Sequence, residues 1–529
     1  MKLKKVVMAV LCAAMVMTTV VSTSAGENPK PAEYGTGGEI KIGSTDPKVL
    51  GHFDTTCALD ANYCGYSMDL VFDYILYRNP DTDEFASNIL TSWEWDDAYQ
   101  GVILQVKDGV KFSTGDPLTG DDIKYTLEKM SSSFMNIDMK IYINIDGIEV
   151  SEDGLTVKIP FNMVYGAWKD YLCGNTAVHS RAWEEANGGT SLNFDDPSMI
   201  VGSGPYKVTE YVVDSYAVFE KRNDWWMEGQ QPEGTSSFDK ITVVKYNDVN
   251  TMMIDYEMGS IDCCIGINVS DYDRIMADES LGKAGRLATH FVSMINLNAD
   301  NTALKDKNLR EAIAYAVDWA AVCDMVYGSL GTFAGSTLPR DSFAFVDGYT
   351  YEYNPEKARQ IVDENGLAGT ELTWVVTPDL TGTIAELVQQ AVAQVGITIK
   401  LDERDMATAT MIWMKPDGSM AQLDGSSFSN LSNDPQQQYK SCNATSMFVG
   451  CAKSDALLNA ALQKGMTNTD QAIRTEAYQE VQKIIYDEVY CIPIAEWYSA
   501  YCYNTATIAW MSPLDQSMPL LRNIIPAAK

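Results

Sequence analysis

Between residues 371 and 401 the spacing of apolar positions changes period twice. Residues 371–377 read as a strand; residues 383–395 place Ile384, Leu387, Val388, Ala391 and Val395 on one face of a helix; Ile397, Ile399 and Leu401 then alternate with polar neighbours. Gly396 is positioned to stop the helix. A strand–helix–strand unit of this kind predicts a right-handed crossover and a parallel pair. Just before it, Asn354-Pro355 supplies a cap and a first helical position for a helix that Gly366 ends. Earlier, Thr119-Gly120-Asp121-Asp122 predicts another helix start, with Thr119 as N-cap and Ile123, Leu127 and Met130 on one face. Short β-rich runs alternate with helices from about Gly37 onward, which predicts an α/β architecture. No internal repeat or low-complexity linker interrupts the pattern, so lobes joined by more than one chain crossing are expected.

The first residues break from this pattern. Lys2, Lys4 and Lys5 precede an apolar stretch at residues 6–21 that only Thr18 and Thr19 interrupt, and Thr23-Ser24-Ala25 offers small residues for cleavage. The stretch is shorter than the ~20 residues a membrane span needs. Residues 1–25 are therefore expected to be a cleavable signal peptide, followed by a tether at 26–36. Cys12 lies inside the apolar core, followed by Ala13-Ala14-Met15, and does not form a convincing lipobox. With no second long apolar run, the mature chain is expected to be secreted, at a cell surface or in a periplasm.

Size and charge narrow the reading further. Of 529 residues, about 504 remain after cleavage, more than one core supports, since cores stop growing near ~250–300 residues. A hydrophobic content of 46% with 21% charged residues is globular. The formal charge of −33, which becomes about −36 without the three signal lysines, repels phosphate backbones and anionic headgroups. Nucleic acid is excluded as a partner.

Familiar catalytic patterns are missing. The histidines, His52, His179 and His290, are far apart in sequence and never at metal-binding spacing, so neither a metal site nor a Ser-His-Asp triad has a local signature. Gly202-Ser203-Gly204-Pro205-Tyr206 is glycine-rich, but a β-like run follows it where a phosphate cradle needs a helix, so it reads as a turn entering a strand. Adjacent Cys263 and Cys264 are too close along the chain for an unstrained disulfide and are expected on opposite faces of a strand. Trp225-Trp226 reads as packing.

Several segments together resemble the peptide/nickel/opine family of ABC-transporter solute-binding proteins, family 5. They are Lys107-Asp108-Gly109-Val110-Lys111-Phe112, running through Gly115-Asp116-Pro117-Leu118-Thr119 to Asp122-Ile123-Lys124-Tyr125-Thr126-Leu127; the Gly202–Tyr206 turn with Lys221-Arg222-Asn223-Asp224-Trp225-Trp226; Met258-Gly259-Ser260-Ile261-Asp262; and Leu309-Arg310-Glu311-Ala312-Ile313-Ala314-Tyr315-Ala316-Val317-Asp318. The resemblance implies a two-lobed, periplasmic-binding-protein-like (type II) α/β fold with an extra subdomain in the first lobe. Mapped onto this chain, lobe I is residues 37–291 plus 492–529, with the subdomain at about 77–200, and lobe II is residues 292–491. The crossings are expected at residues 290–298 and 489–495.

The function implied is that of an extracytoplasmic receptor of an ABC importer. It would close on a di- or oligopeptide and deliver it to the permease subunits, as a monomer that meets the membrane only through the permease. It would not be an enzyme and would need no cofactor. An oligosaccharide or other neutral polar solute is the alternative ligand. A secreted hydrolase would require paired carboxylates or a nucleophile–base pair in the cleft.

In peptide-binding relatives a Trp-x-x-Asp-x-x-(Asp or Glu)-Pro segment faces the cleft, and its first Asp pairs with the peptide amine. Anchored on Asn433-Asp434-Pro435, the Trp position falls on Phe428 and the amine-binding position on Leu431, which balances no ammonium. Asp434 is expected to cap the turn beside Pro435, and Asp424 is the upstream carboxylate. The resemblance also implies a disulfide between Cys442 and Cys451. The further pairings considered are Cys57 with Cys64, and Cys491 with Cys502 across a hairpin.

Overall fold

The computed structural model describes residues 33–46, 49–50, 53–54, 67–78, 84–132, 139–173, 176–230, 237–301, 303–378, 380–413, 423–426, 434–439, 442, 444, 451–511 and 521–528. Residues 1–25, expected to be a signal peptide, and Cys12, His52, Cys57 and Cys64 lie outside them. No described helix is long and apolar enough to cross a membrane.

One mixed sheet runs through the molecule. Its order is Thr398–Glu403, Glu371–Val376, Leu423–Ser426, Lys283–Leu297, Cys491–Tyr503, Cys263–Ile265, Glu39–Ser44, Lys240–Lys245, Tyr216–Lys221, Tyr206–Val212, with Gly331–Phe333 added beside Cys491–Tyr503. The two longest members, Lys283–Leu297 and Cys491–Tyr503, are antiparallel neighbours and belong to both halves of the sheet. They are the first and second crossing strands below. Ala284 to Ala288 pair with Cys502 to Tyr498 in one half; Val292 to Asn296 pair with Glu496 to Cys491 in the other.

Each half of the sheet is covered on both faces, so its side chains alternate between two cores. In the first half Cys263 enters the cluster of Ile42, Phe219 and Tyr503, while Cys264 enters that of Met252, Ile261 and Cys502. The two cysteines do face opposite sides. In the second half Val292 and Met294 join a cluster with Leu458 and Tyr478, and Ile295 and Leu297 one with Trp374 and Ile397. The extra subdomain has its own four-stranded antiparallel sheet, ordered Leu90–Asp96, Gly101–Val106, Thr156–Pro160, Glu149–Val150, and its own core around Leu104, Ile123, Leu127 and Ile159.

The strand–helix–strand unit forms as the periodicity requires. Glu371–Val376 and Thr398–Glu403 are parallel, and the helix Leu380–Ala393 buries Ile384, Val388 and Val392, with Leu387 and Ala391 partly covered. Asn354 accepts from the Lys357 amide at 3.0 Å and Pro355 is the first helical residue. At the helix Gly120–Ser132 the capping differs from expectation. The Thr119 amide and hydroxyl both donate to Asp122 Oδ2, at 2.8 and 3.2 Å. A carboxylate reaching back from the first turn is the stronger acceptor, so it takes the hydroxyl proton.

The Gly202–Tyr206 turn enters the strand Tyr206–Val212. A Cβ on Gly202 would sit 2.1 Å from the Val71 carbonyl oxygen, and one on Gly204 2.6 Å from the Val71 carbonyl carbon. Both indoles of Trp225 and Trp226 donate to the Ser203 carbonyl, at 3.0 and 3.1 Å, which makes the pair a clamp on this turn. Cys491 and Cys502 are not a hairpin pair. They stand near opposite ends of one strand, roughly 35 Å apart at the usual rise per residue.

Candidate ligand-binding cleft

Both crossing strands lose their regular pairing at the same level. On the first, residues 289–291 fall between the pairs Ala288–Tyr498 and Val292–Glu496, and His290 takes a positive φ of 53°. On the second, register shifts again at Pro493, whose missing N–H cannot continue the ladder. Residues freed from pairing in this way bend more easily than the strand on either side. Thr289 Oγ1 donates to the Trp497 carbonyl at 2.6 Å, and the Trp497 indole lies between the rings of Phe291 and Tyr327, 6.3 Å from each.

One loop of the second half reaches both strands at this level. Arg340 forms a close ion pair with Glu496 and also donates its amide to Glu496 Oε2 at 2.9 Å. The next residue, Asp341, meets His290 Nδ1 at 2.5 Å. Burial pushes the Glu496 carboxyl above its ordinary range, and Arg340 only partly offsets it. Asp347 packs against the bare backbone of Gly335, where a Cβ would lie 2.1 Å from its Oδ1.

A second contact joins the lobes away from the crossings. The Gly166 amide, in the subdomain, donates to the Met466 carbonyl at 2.7 Å. The Met466 side chain enters the subdomain core, near Tyr142 and Tyr165 stacked at 4.3 Å. A Cβ on Gly166 would lie 2.2 Å from the Asn468 carbonyl oxygen and 2.5 Å from Arg474 Nε. Arg474 Nη2 in turn donates to both oxygens of Asp434, at 2.8 and 2.7 Å, and both residues are buried. The lobes therefore touch at this contact as well as around the crossings, where Ser329 also donates to Asp273 Oδ1 at 2.6 Å.

Among the candidate ligand residues, Asp434 caps the short helix Pro435–Gln438 by accepting from the Gln436 amide at 2.9 Å. Asp424 lies on the strand Leu423–Ser426, opposite Asn296 of the first crossing strand. Phe428 and Leu431 lie outside the described residues. Cys442 and Cys451 are buried with their sulfurs 3.1 Å apart, and Cys491 completes a cluster whose three Sγ atoms lie within 4.8 Å of one another. Sequence reasoning missed that third sulfur. The Gly166 contact and the Arg340–Asp341 loop were likewise not read from the sequence, which holds no local mark of either.

A pocket of about 570 Å³ lined by Tyr315, Asp318, Tyr351, Glu352, Tyr353 and Tyr486 belongs to lobe II alone, so it is separate from the space between the lobes. Of the described histidines, His179 is buried against Glu184, whereas His290 is only half-buried and pairs with the exposed Asp341.

Known proteins resemble the chain over most of its length. The model of the family described as "Bacterial extracellular solute-binding proteins, family 5 Middle" matches residues 84–446. Heme-binding protein A of Haemophilus influenzae is 22% identical over 489 residues, 84% of each chain. Di/tripeptide-binding protein 1 of Pseudomonas aeruginosa is 24% identical over 467 residues, 81% of this chain and 83% of its own. In structure, the dipeptide-binding protein of Pseudoalteromonas sp. SM9913 in complex with Met-Leu superposes with a TM-score of 0.77 at 18% identity, covering 92% of this chain and 99% of its own.

Proposed function

Because the chain belongs to family 5 of the bacterial extracellular solute-binding proteins, the binding components of ABC importers, we propose that it captures a peptide between its lobes and hands it to a membrane permease without making or breaking a bond. The observation that carries this reading is the pairing of two loosened crossing strands with a second contact at Gly166 and Met466. Two lobes hinged at one end and touching at the other enclose a ligand, and ligand contacts to both lobes favour the closed form. Residues 37–291 with 492–529 move as one lobe and 292–491 as the other, the break falling at the bulged level of the crossings. The signal peptide at residues 1–25 directs export, and the mature protein acts as a monomer.

Peptide is the ligand class favoured by the names of relatives that share most of this chain's length, the di/tripeptide-binding protein among them. The grip on that peptide departs from the usual one. The amine-binding position is Leu431, and both oxygens of Asp434 are taken by Arg474. Burying an unpaired ammonium beside a leucine costs several kcal/mol, so the free amine contributes little here. On the family pattern, Phe428 stands where relatives carry the cleft-facing Trp, and Asp424 is the upstream carboxylate of the same segment. A neutral polar solute, such as an oligosaccharide, is the second reading, favoured by the leucine at the amine-binding position.

Calorimetric titration with di- and oligopeptide panels against sugar panels separates the two. Peptide binding that tolerates N-acetylation is the expected result, and sugar binding alone overturns the ligand class. A preference for free amines of more than about tenfold, ~1.4 kcal/mol, overturns the reading of Leu431.

A further inference from the structure

Three cysteines from three separate elements converge in lobe II. Cys442 follows the short helix Pro435–Gln438, its amide donating to the Tyr439 carbonyl at 3.0 Å. Cys451 precedes the helix Ala456–Met466, its carbonyl accepting from the Ala299 amide at 2.7 Å. Cys491 opens the second crossing strand. Their exposures are 2%, 0% and 1%, within a cluster of Val292, Met294, Leu458, Tyr478 and Ile485. Thiols are poor hydrogen-bonding groups, and three in contact in a dry core gain little from one another. The resemblance implies a disulfide between Cys442 and Cys451, but their sulfurs stand 3.1 Å apart with no bond between them and leave Cys491 unaccounted for; a cation that replaces all three protons would give the whole cluster a purpose.

We propose that Cys442, Cys451 and Cys491 are the ligands of a thiophilic divalent ion of the zinc class. Four-coordinate thiolates about 2.3 Å from a metal lie about 3.8 Å from each other. The sulfurs here run from a 3.1 Å contact to separations within 4.8 Å, which brackets that value. Asn296 Oδ1, 3.0 Å from Cys491 Sγ, offers an oxygen for the fourth position. Three M–S bonds form as three S–H bonds break, and the three protons leave to solvent. No electron moves, and the site gains one net negative charge. Proton release makes binding fall steeply as pH falls. Because one ligand lies on a crossing strand, an occupied site ties the loop that holds Cys442 and Cys451 to the hinge.

Cadmium(II), whose thiolate complexes absorb in the ultraviolet, is the probe. Titration of the mature full-length chain, purified without oxygen or added thiol, is expected to saturate at one ion per chain. Cys491→Ser is expected to retain roughly two-thirds of the charge-transfer absorbance and to weaken binding by at least about tenfold, since one of three thiolates is gone. Cys323→Ser, in a different core, leaves both unchanged. If Cys491→Ser does not fold, differential alkylation of the wild type decides: cadmium protects Cys442, Cys451 and Cys491 together. Sub-stoichiometric binding, binding indifferent to Cys491, or an exported chain with a Cys442–Cys451 disulfide and a lone Cys491 thiol each overturns the proposal.

Discussion

Asp434 and Arg474 lock together in lobe II directly against Gly166 of the other lobe, the carboxylate taking two contacts of 2.8 and 2.7 Å from one guanidinium nitrogen. The pair is buried, so removing one partner strands the other's charge. Asp434→Ala is expected to destabilise the protein by roughly 3–5 kcal/mol, read as a lower midpoint in urea. If Asp434 instead contacted ligand, affinity would fall while the midpoint stayed put.

Gly166→Ala tests closure without testing the fold. The added methyl would meet the Asn468 carbonyl at 2.2 Å, a clash that exists only when the lobes touch. Ligand affinity is expected to fall at least about tenfold, ~1.4 kcal/mol, while unliganded stability changes by less than about 1 kcal/mol. Small-angle scattering of wild type should show compaction on ligand addition that the variant lacks. Equal compaction in both would count against closure through this contact.

The Arg340–Glu496 and His290–Asp341 pairs tie one loop to both crossing strands. Replacing Arg340 by Ala leaves Glu496, already raised by burial, without its counter-ion. The closed form should lose about 1–2 kcal/mol relative to the open one, a 5- to 30-fold weaker ligand by linkage. Calorimetry on Arg340→Ala with the intact protein as reference measures this. An unchanged affinity removes the loop from the hinge.

A buried network in lobe I sets the acid limit of stability. Burial alone would raise Glu184, but His179, 2.6 Å away, and Lys129, 2.9 Å away, overcome it and hold the carboxyl at about 2, below its ordinary 4.5. Burial keeps His179 neutral near pH 7, so it acts on Glu184 chiefly as an N–H donor, with Lys129 supplying the charge. A depressed carboxylate stabilises the fold above its unfolded value and loses that contribution as pH falls from about 4.5 toward 2. Glu184→Gln should be less stable at pH 7 and flatter across that interval in pH-dependent urea melts. An unaltered slope would assign acid unfolding to other groups.

What the chain disclosed about itself depended on distance along it. The parallel pair around residues 371–403, the Asn354 cap and the opposed faces of Cys263 and Cys264 each rest on a few neighbouring residues, and each formed. That the lobes are joined by more than one crossing followed from the missing linker, but where the crossings fall was anticipated only through resemblance, because no local feature of residues 283–297 announces a partner two hundred positions away. Cys491 was misplaced for the same reason. Its spacing to Cys502 suggested a hairpin, but the second crossing strand needs its full length to serve both lobes. Gly166 sits in a turn over residues 165–168 but has no positive φ that would call for a glycine; the approach of Asn468 and Arg474 explains a glycine there.

The last strand of the large sheet also dictates the order in which the protein can be completed. Residues 501–503 lie between Cys263–Ile265 and the start of Lys283–Leu297, pairing with both. Further on, buried Arg522 is bound to Asp69 and Asp73 near the other end of the chain. As the polypeptide is made N-terminus first, lobe I must wait with an empty slot at its centre until residues 498–529 arrive. Lobe II carries almost all of its own strands earlier. A chain cut short before residue 498 would thus expose two unpaired strand edges in lobe I, the kind of surface that recruits other chains, and loss of a few C-terminal residues would damage the part of the molecule made first.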